Sequence, residues 1–328
     1  MYKSFYSLQK NPFELPPDPA FLFSTKGHNE ALATLYYGVR RRKGFVVLTG
    51  EVGTGKTLLI RSLLQLLRLS SINCAYVFNC RLAPIEFLHY VAGDFSLPVT
   101  GKSKAEILLA LGRFLVSQFQ KGLTTVLVVD EAHHLSVDVL EEIRLLTNLE
   151  TAREKLLQIL LVGQPELDEK LDSVELRQLK QRIALRSNLT PLDLEETYGY
   201  IRKRMQVAGN ANADAIFPME TILEVHRMSG GIPRIINTLC ENALIHGYAR
   251  QLSRLSPEVI ERVAHDFRLN VHNSGRFGEL GVPEKTSAEV EQAAKTLLDL
   301  FANIRRAQST GEELRGVIGE MGKHEPYI

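Results

Sequence analysis

The 328-residue chain has no tryptophan and only three cysteines, Cys74, Cys80 and Cys240, none of them in a C-x-x-C pair. This argues against a disulfide-stapled scaffold and a cysteine metal centre, and an odd count suits a reducing compartment. No apolar run reaches the roughly 20 residues needed for a membrane-spanning helix. Met1 to Pro17 lacks the apolar stretch of a secretory signal. An excess of one charge is also missing. With 39 Lys and Arg against 38 Asp and Glu, the net charge is +1, so no global field attracts nucleic acid or a membrane surface. These absences lead to the expectation of a cytoplasmic protein with no membrane span. Hydrophobic residues make up 45% of the chain, enough to build one large globular unit or two smaller ones.

What is present centres on Gly50 to Thr57, which reads G-E-V-G-T-G-K-T. It fits G-x-x-x-x-G-K-[ST], with the apolar run Phe45 to Leu48 before it and helically spaced leucines from Leu58 to Leu67 after it. Glycines at 50, 53 and 55 allow a tight turn whose N–H groups form an anion nest at a helix N-terminus. The expected nucleotide contacts are Gly50, Glu51, Val52, Gly53, Thr54, Gly55, Lys56, Thr57 and Leu58. Lys56 supplies a mobile cation for β- and γ-phosphates, and the Thr57 hydroxyl is placed for Mg²⁺. The ligand implied is ATP with Mg²⁺.

Around this loop the chain alternates strand and helix patterns. Strands are expected at Ala75 to Phe78, Thr124 to Val129, Gln158 to Val162 and Ala184 to Leu189. Helices are expected at Glu30 to Val39, Pro84 to Phe95, Ala105 to Gln120, Val137 to Leu149 and Glu166 to Gln181. That pattern is an α/β unit with a largely parallel sheet. After Pro191 only helices follow, at Leu194 to Ala208, Met219 to Met228, Ile232 to Ala249 and Pro257 to Phe267, forming a small bundle. The expected divisions are a proline-rich extended segment and helix over 1–44 packed on the core, an ATPase core over 45–190, a helical unit over 191–269 and a linker with tail over 270–328. In the tail, Ser287 to Arg306 places Val290, Ala294, Leu297, Phe301 and Ile304 on one helical face.

Thr124 to Val129 runs into Asp130 and Glu131. A carboxylate at the end of a buried strand downstream of a phosphate loop suits a Mg²⁺ or Thr57 partner, and Glu131 suits polarising an attacking water. His133 and His134 are read as helix-start residues, since no further ligand pair has suitable spacing.

These motifs, with Asn11-Pro12-Phe13, Phe21-Leu22-Phe23, His28 through Gly38, Leu161 to Leu167, Gln181 to Leu192 and Gly230 to Arg234, make the chain similar to AAA+ ATPases of the ExeA (general secretion pathway A) type over roughly residues 1–268. The same group resembles ATPases that accompany transposases. The resemblance implies a P-loop three-layer αβα core followed by a helical lid. It also implies three further site residues. Gln164 corresponds to the sensor-1 position, although a shorter Asn, Ser or Thr is usual there. Arg182 falls where a neighbouring subunit's arginine finger is expected, with Arg186 its rival. Arg234 matches sensor 2. The expected activity is ATP hydrolysis by a ring or head-to-tail homo-oligomer that switches or remodels an unidentified protein partner, secretion- or envelope-related. The alternative is an ATP-dependent DNA-binding adaptor, kept open by the basic runs Arg40 to Lys43 and Arg202 to Arg204.

Overall fold

The computed structural model describes residues 1–14, 21, 23–68, 72–78 and 81–269. The expected linker and tail over 270–328, Cys80, Leu22 and the prolines at 16, 17 and 19 lie outside the described residues.

Five parallel strands form one sheet in the order β2-β3-β4-β1-β5. They are β1 (Phe45–Gly50), β2 (Ile72–Val77), β3 (Thr124–Val129), β4 (Leu157–Val162) and β5 (Leu185–Leu189). β1, β3 and β4 are almost wholly buried, as their continuous β-branched and leucine runs require for inner strands covered on both faces. On one face Phe45 and Val47 join helices α4 (Pro84–Asp94), α5 (Lys104–Gln120) and α6 (Val137–Leu146) in a cluster that includes Phe87, Leu111 and Ile143. On the other face lie α2 (Lys26–Arg40) and α3 (Lys56–Arg68). Gly38 of α2 comes so close to Val46 that an added Cβ would lie 2.7 Å from its Cγ2. The result is a three-layer αβα core.

Local sequence explains the starts of several helices. Ser103 and Glu106 form a reciprocal capping box on α5, and Ser136 caps α6. Two sequence expectations are corrected. β2 begins at Ile72 rather than Ala75 and ends at Val77, because as an edge strand it tolerates the half-exposed Asn73 and Cys74. Glu166 to Gln181 is not one helix but α7 (Glu166–Leu171), a 3₁₀ turn (Val174–Leu176) and α8 (Arg177–Lys180). Its buried leucines at 167, 171, 176 and 179 explain the break, since the five-residue step from Leu171 to Leu176 is out of phase with a continuous helix.

A second hydrophobic cluster lies in the helical part, built from α9 (Leu194–Val207), a short α10 (Ala213–Ile216) that periodicity did not reveal, α11 (Met219–Ser229), α12 (Pro233–Ala249) and α13 (Pro257–Asp266). The start of the chain, including α1 (Tyr2–Phe5), belongs to this cluster. Tyr6, Leu8, Phe13 and Phe21 are buried among its helices, whereas α2 sits on the sheet. Arg204 of α9 anchors the arrangement: it donates to Pro12 O at 2.6 Å and Tyr200 Oη at 2.9 Å, with its guanidinium 4.8 Å from the Phe21 ring centre.

Candidate active site

The loop after β1 has the backbone its glycines permit. Gly53 and Gly55 have φ of 85° and 101°, in the left-handed region, and Gly50 is at 156°. Space is equally restrictive. A Cβ on Gly50 would lie 2.6 Å from Leu189 O, and one on Gly53 would lie 2.6 Å from Arg234 Cβ. The backbone N–H groups of Gly53, Gly55, Lys56, Thr57 and Leu58 donate to no acceptor among the described residues, and the first bond into α3 runs from Leu59 N–H to Gly55 O. Five such donors at a helix N-terminus make an anion-binding nest. Buried Lys56 donates to Gly50 O at 2.7 Å and Glu51 O at 2.9 Å. Burial lowers its pKa, partly opposed by Glu131 and Asp130. Val52 is 48% exposed at the loop tip, while the Thr54 hydroxyl is tied to Glu51 O.

Parallel register brings the other polar groups to the same sheet edge. β4 lies between β1 and β3, so the residues that follow the three strands form a row. Leu48 pairs with Val162, and Val129 pairs with Leu161. Thr57 Oγ1 donates to Asp130 Oδ2 at 3.2 Å. Glu131 has a left-handed backbone, φ 53°, and donates its N–H to Asp130 Oδ1 at 2.9 Å. Gln164, just beyond β4, donates from Nε2 to Glu131 Oε2 at 3.4 Å. A non-glycine residue held at positive φ is strained by about 1 kcal/mol or more, and here the strain turns consecutive carboxylates toward different partners.

Several neighbours escaped the sequence reading. Tyr76 of β2 donates to Asp130 Oδ2 at 2.7 Å, and burial with that carboxylate pushes the phenol pKa well up. A tyrosine within a strand pattern gave no sign that it would face Asp130 across the edge pairing. His133 lies in the 3₁₀ turn Ala132–His134. Its Nδ1 accepts from Gln164 N–H at 3.4 Å, and burial with neighbouring His134 lowers its pKa. Ligand atoms of Glu131, His133 and His134 come within 4.8 Å of one another, and Gln164 engages the Glu131 and His133 side chains. His28, in a stretch that carried the resemblance but without an assigned role, contacts Thr54 O through Nε2 at 3.0 Å.

The three arginines differ. Arg234 is exposed at the start of α12, beside Gly53, and its own N–H donates to Gly53 O at 3.3 Å. Its side chain has no carboxylate partner among the described residues. Arg186 is paired within the chain, with Asp168 at 3.0 Å and Asp172 at 3.7 Å. Arg182 precedes β5 at the other end of the sheet, where Ala184 N–H reaches Phe45 O and nearby Glu150 feels its charge. Since Leu185 pairs with Val46 and Leu189 with Gly50, the start of β5 lies about 13 Å from the loop end by the rise of four extended residues, and Arg182 sits in the turn before it. Within one chain it is not part of the assembled cluster.

A nucleotide loop on β1, an acidic strand end on β3, a polar residue after β4 and a helical unit whose α12 start touches the loop define the class. The chain is an AAA+ P-loop protein, and residues 39–171 match the AAA domain family. Within the class it is similar to General secretion pathway protein A of Aeromonas hydrophila, to which it is 45% identical over 251 residues. That match covers 76% of this chain and 45% of the relative, so the chain matches less than half the relative's length. Among solved structures, the Aeropyrum pernix ORC1 protein in complex with DNA aligns with a TM-score of 0.60 at 18% identity, over 79% of this chain and 69% of that one. The Aeropyrum pernix ORC2 protein in its ADPNP-ADP complexes aligns at 0.56 and 17%, over 79% and 72%. These distant likenesses establish the fold. Among the described residues no helix is long and apolar enough to cross a membrane.

Proposed function

We propose that this chain binds ATP with Mg²⁺ and hydrolyses it, working as an oligomeric switch or remodeller of a partner assembly. The observation that carries this reading is the convergence of Lys56, Thr57, Asp130, Glu131 and Gln164, from three separate strand ends, beside five free loop amides. The amides and Lys56 hold the phosphates. Oxygen donors on Thr57 and Asp130 suit Mg²⁺, a hard cation. Bound there, Mg²⁺ would offset charge on the β- and γ-phosphates. Glu131, half-exposed and held by Gln164, orients the lytic water and takes up its proton. Arg234 reaches the γ-phosphate from the helical unit, which makes that unit responsive to the nucleotide.

Arg182 acts on the site of an adjacent copy in a head-to-tail assembly. Its place at the sheet end remote from its own loop supports that role, and the pairing of Arg186 with Asp168 leaves Arg182 the better candidate. The relationship to General secretion pathway protein A supports a secretion- or envelope-related partner. The DNA-adaptor alternative gains little from the basic runs. Arg42 is 16% exposed and bonded to Leu123 O, Lys43 lies against the Tyr37 ring, Arg202 pairs with Asp214 and Arg204 is buried.

The direct test is equilibrium binding of ATP with Mg²⁺ to the full chain and to Lys56→Ala. Removing the buried cation should reduce affinity by at least about a hundredfold, the scale of a lost charge-assisted contact. Unchanged affinity would overturn the nucleotide assignment.

A further inference from the structure

We infer that His28 is a positioning residue for the phosphate loop: its Nε2–H holds the Thr54 carbonyl and thereby orients the Gly55 amide toward the phosphate site. The inference rests on the nucleotide reading above and deepens it. Three observations carry it.

The first is the proton arrangement. Thr54 O can only accept, so His28 Nε2 carries the hydrogen across the 3.0 Å contact. Nδ1 then accepts from the Thr25 hydroxyl at 2.8 Å, and that hydroxyl's oxygen accepts from His28 N–H at 3.2 Å. One tautomer of neutral histidine satisfies every partner, and burial of the ring lowers its pKa in the same direction.

The second is what the contact does to α3. In a regular helix the Thr54 carbonyl would accept from Leu58 N–H, four residues on. Here it accepts from His28, and Leu58 N–H donates to nothing among the described residues. The 54–55 peptide is trans, so a carbonyl aimed at α2 aims the Gly55 N–H the opposite way. The imidazole hydrogen bond therefore fixes the 54–55 peptide and, with it, the direction of the Gly55 N–H, beside the Leu58 N–H that the helix start already leaves free. The fit is close: a Cβ on Gly55 would lie 3.2 Å from His28 Nε2.

The third is that His28 is itself held. Thr25 caps α2, and Phe23 packs against Gly199 and Tyr200 of α9. The six residues from Phe23 to His28 thus connect the helical unit to the loop, which preorganises the imidazole before a ligand arrives.

The test measures ADP and ATP binding with Mg²⁺ to the full chain, together with turnover at saturating ATP. His28→Leu, similar in bulk but without a donor, should weaken both nucleotides about tenfold and equally, the effect of roughly one hydrogen bond. Both retain the phosphates served by these amides. Turnover at saturation should change less than about threefold, because Glu131 and Gln164 are untouched. His28→Gln, whose side-chain amide can still donate to Thr54, should recover affinity to within about threefold of the parent. Equal losses in the Leu and Gln variants would assign the effect to ring packing and overturn the donor role. Unchanged affinity in His28→Leu, with binding still lost in Lys56→Ala, would overturn the inference while leaving the nucleotide reading intact. If Lys56→Ala binds normally, the nucleotide reading itself fails. Should His28→Leu not melt cooperatively, His28→Asn replaces it: its amide is too short to reach Thr54, so affinity retained there would also overturn the role.

Discussion

Glu131 separates chemistry from binding. Its carboxylate is held by Gln164, while its backbone N–H serves Asp130, so Glu131→Gln changes the proton acceptor and leaves the backbone bond in place. ATP should bind as before, and steady-state phosphate release should fall at least about a hundredfold, the lower end of a general-base contribution. Release at the parental rate would make Glu131 a strand-end carboxylate only. At this scale the motif residues were legible, because Gly50 to Thr57 and Asp130-Glu131 carry their chemistry in contiguous letters. Tyr76 and His28 were not. Each reaches the cluster through a contact between residues distant in sequence, Tyr76 to Asp130 and His28 to Thr54.

At the scale of elements, the loop and α12 are fitted to each other. Gly53 lies where any side chain would strike Arg234, and Gly231 is packed so closely on Leu192 that an added Cβ would overlap its carbonyl. Gly53→Ala should therefore push the loop away from α12. Its φ of 85° adds about 1 kcal/mol of left-handed strain, so ATP affinity should drop about tenfold or more in a titration. Parental affinity would show that the loop and α12 separate without consequence. Most element types were readable from periodicity, with starts set by caps such as Ser103 and Asp193. The broken segment after Gln164 reads as one helix in the sequence because leucines at 167 and 171 already satisfy a helical spacing. The offset at Leu176 matters only once all of them must face the same core.

For the whole molecule, the decisive residue is Arg182. If the site is shared, its Arg comes from one copy and its Lys56, Thr57, Asp130 and Glu131 from the next. An arginine supplied in trans can contribute about 10³–10⁵ in rate. Activity per subunit should then rise with protein concentration, and Arg182→Ala should fold and bind ATP but lose that rise. Mixing Arg182→Ala with Glu131→Gln places an intact Arg182 beside an intact Glu131 at some interfaces, so part of the activity should return. Flat specific activity across concentration, with no recovery on mixing, would return Arg182 to the status of a surface cation.

The sequence by itself determined the phosphate loop, the acidic strand end, the alternation of strand and helix and the all-helical part. Each is local: a glycine's backbone freedom, a run of β-branched residues or a helical period acts within a few positions of chain. Only the tertiary structure decided the strand order that sets Gln164 between the loop and Glu131. Packing likewise placed the first residues around Arg204 in the helical cluster. It also directed His28 onto Thr54 and kept Arg182 at the far end of the sheet. Those outcomes depend on the register between parallel strands and on which apolar faces meet, and both arise from contacts between residues distant in sequence.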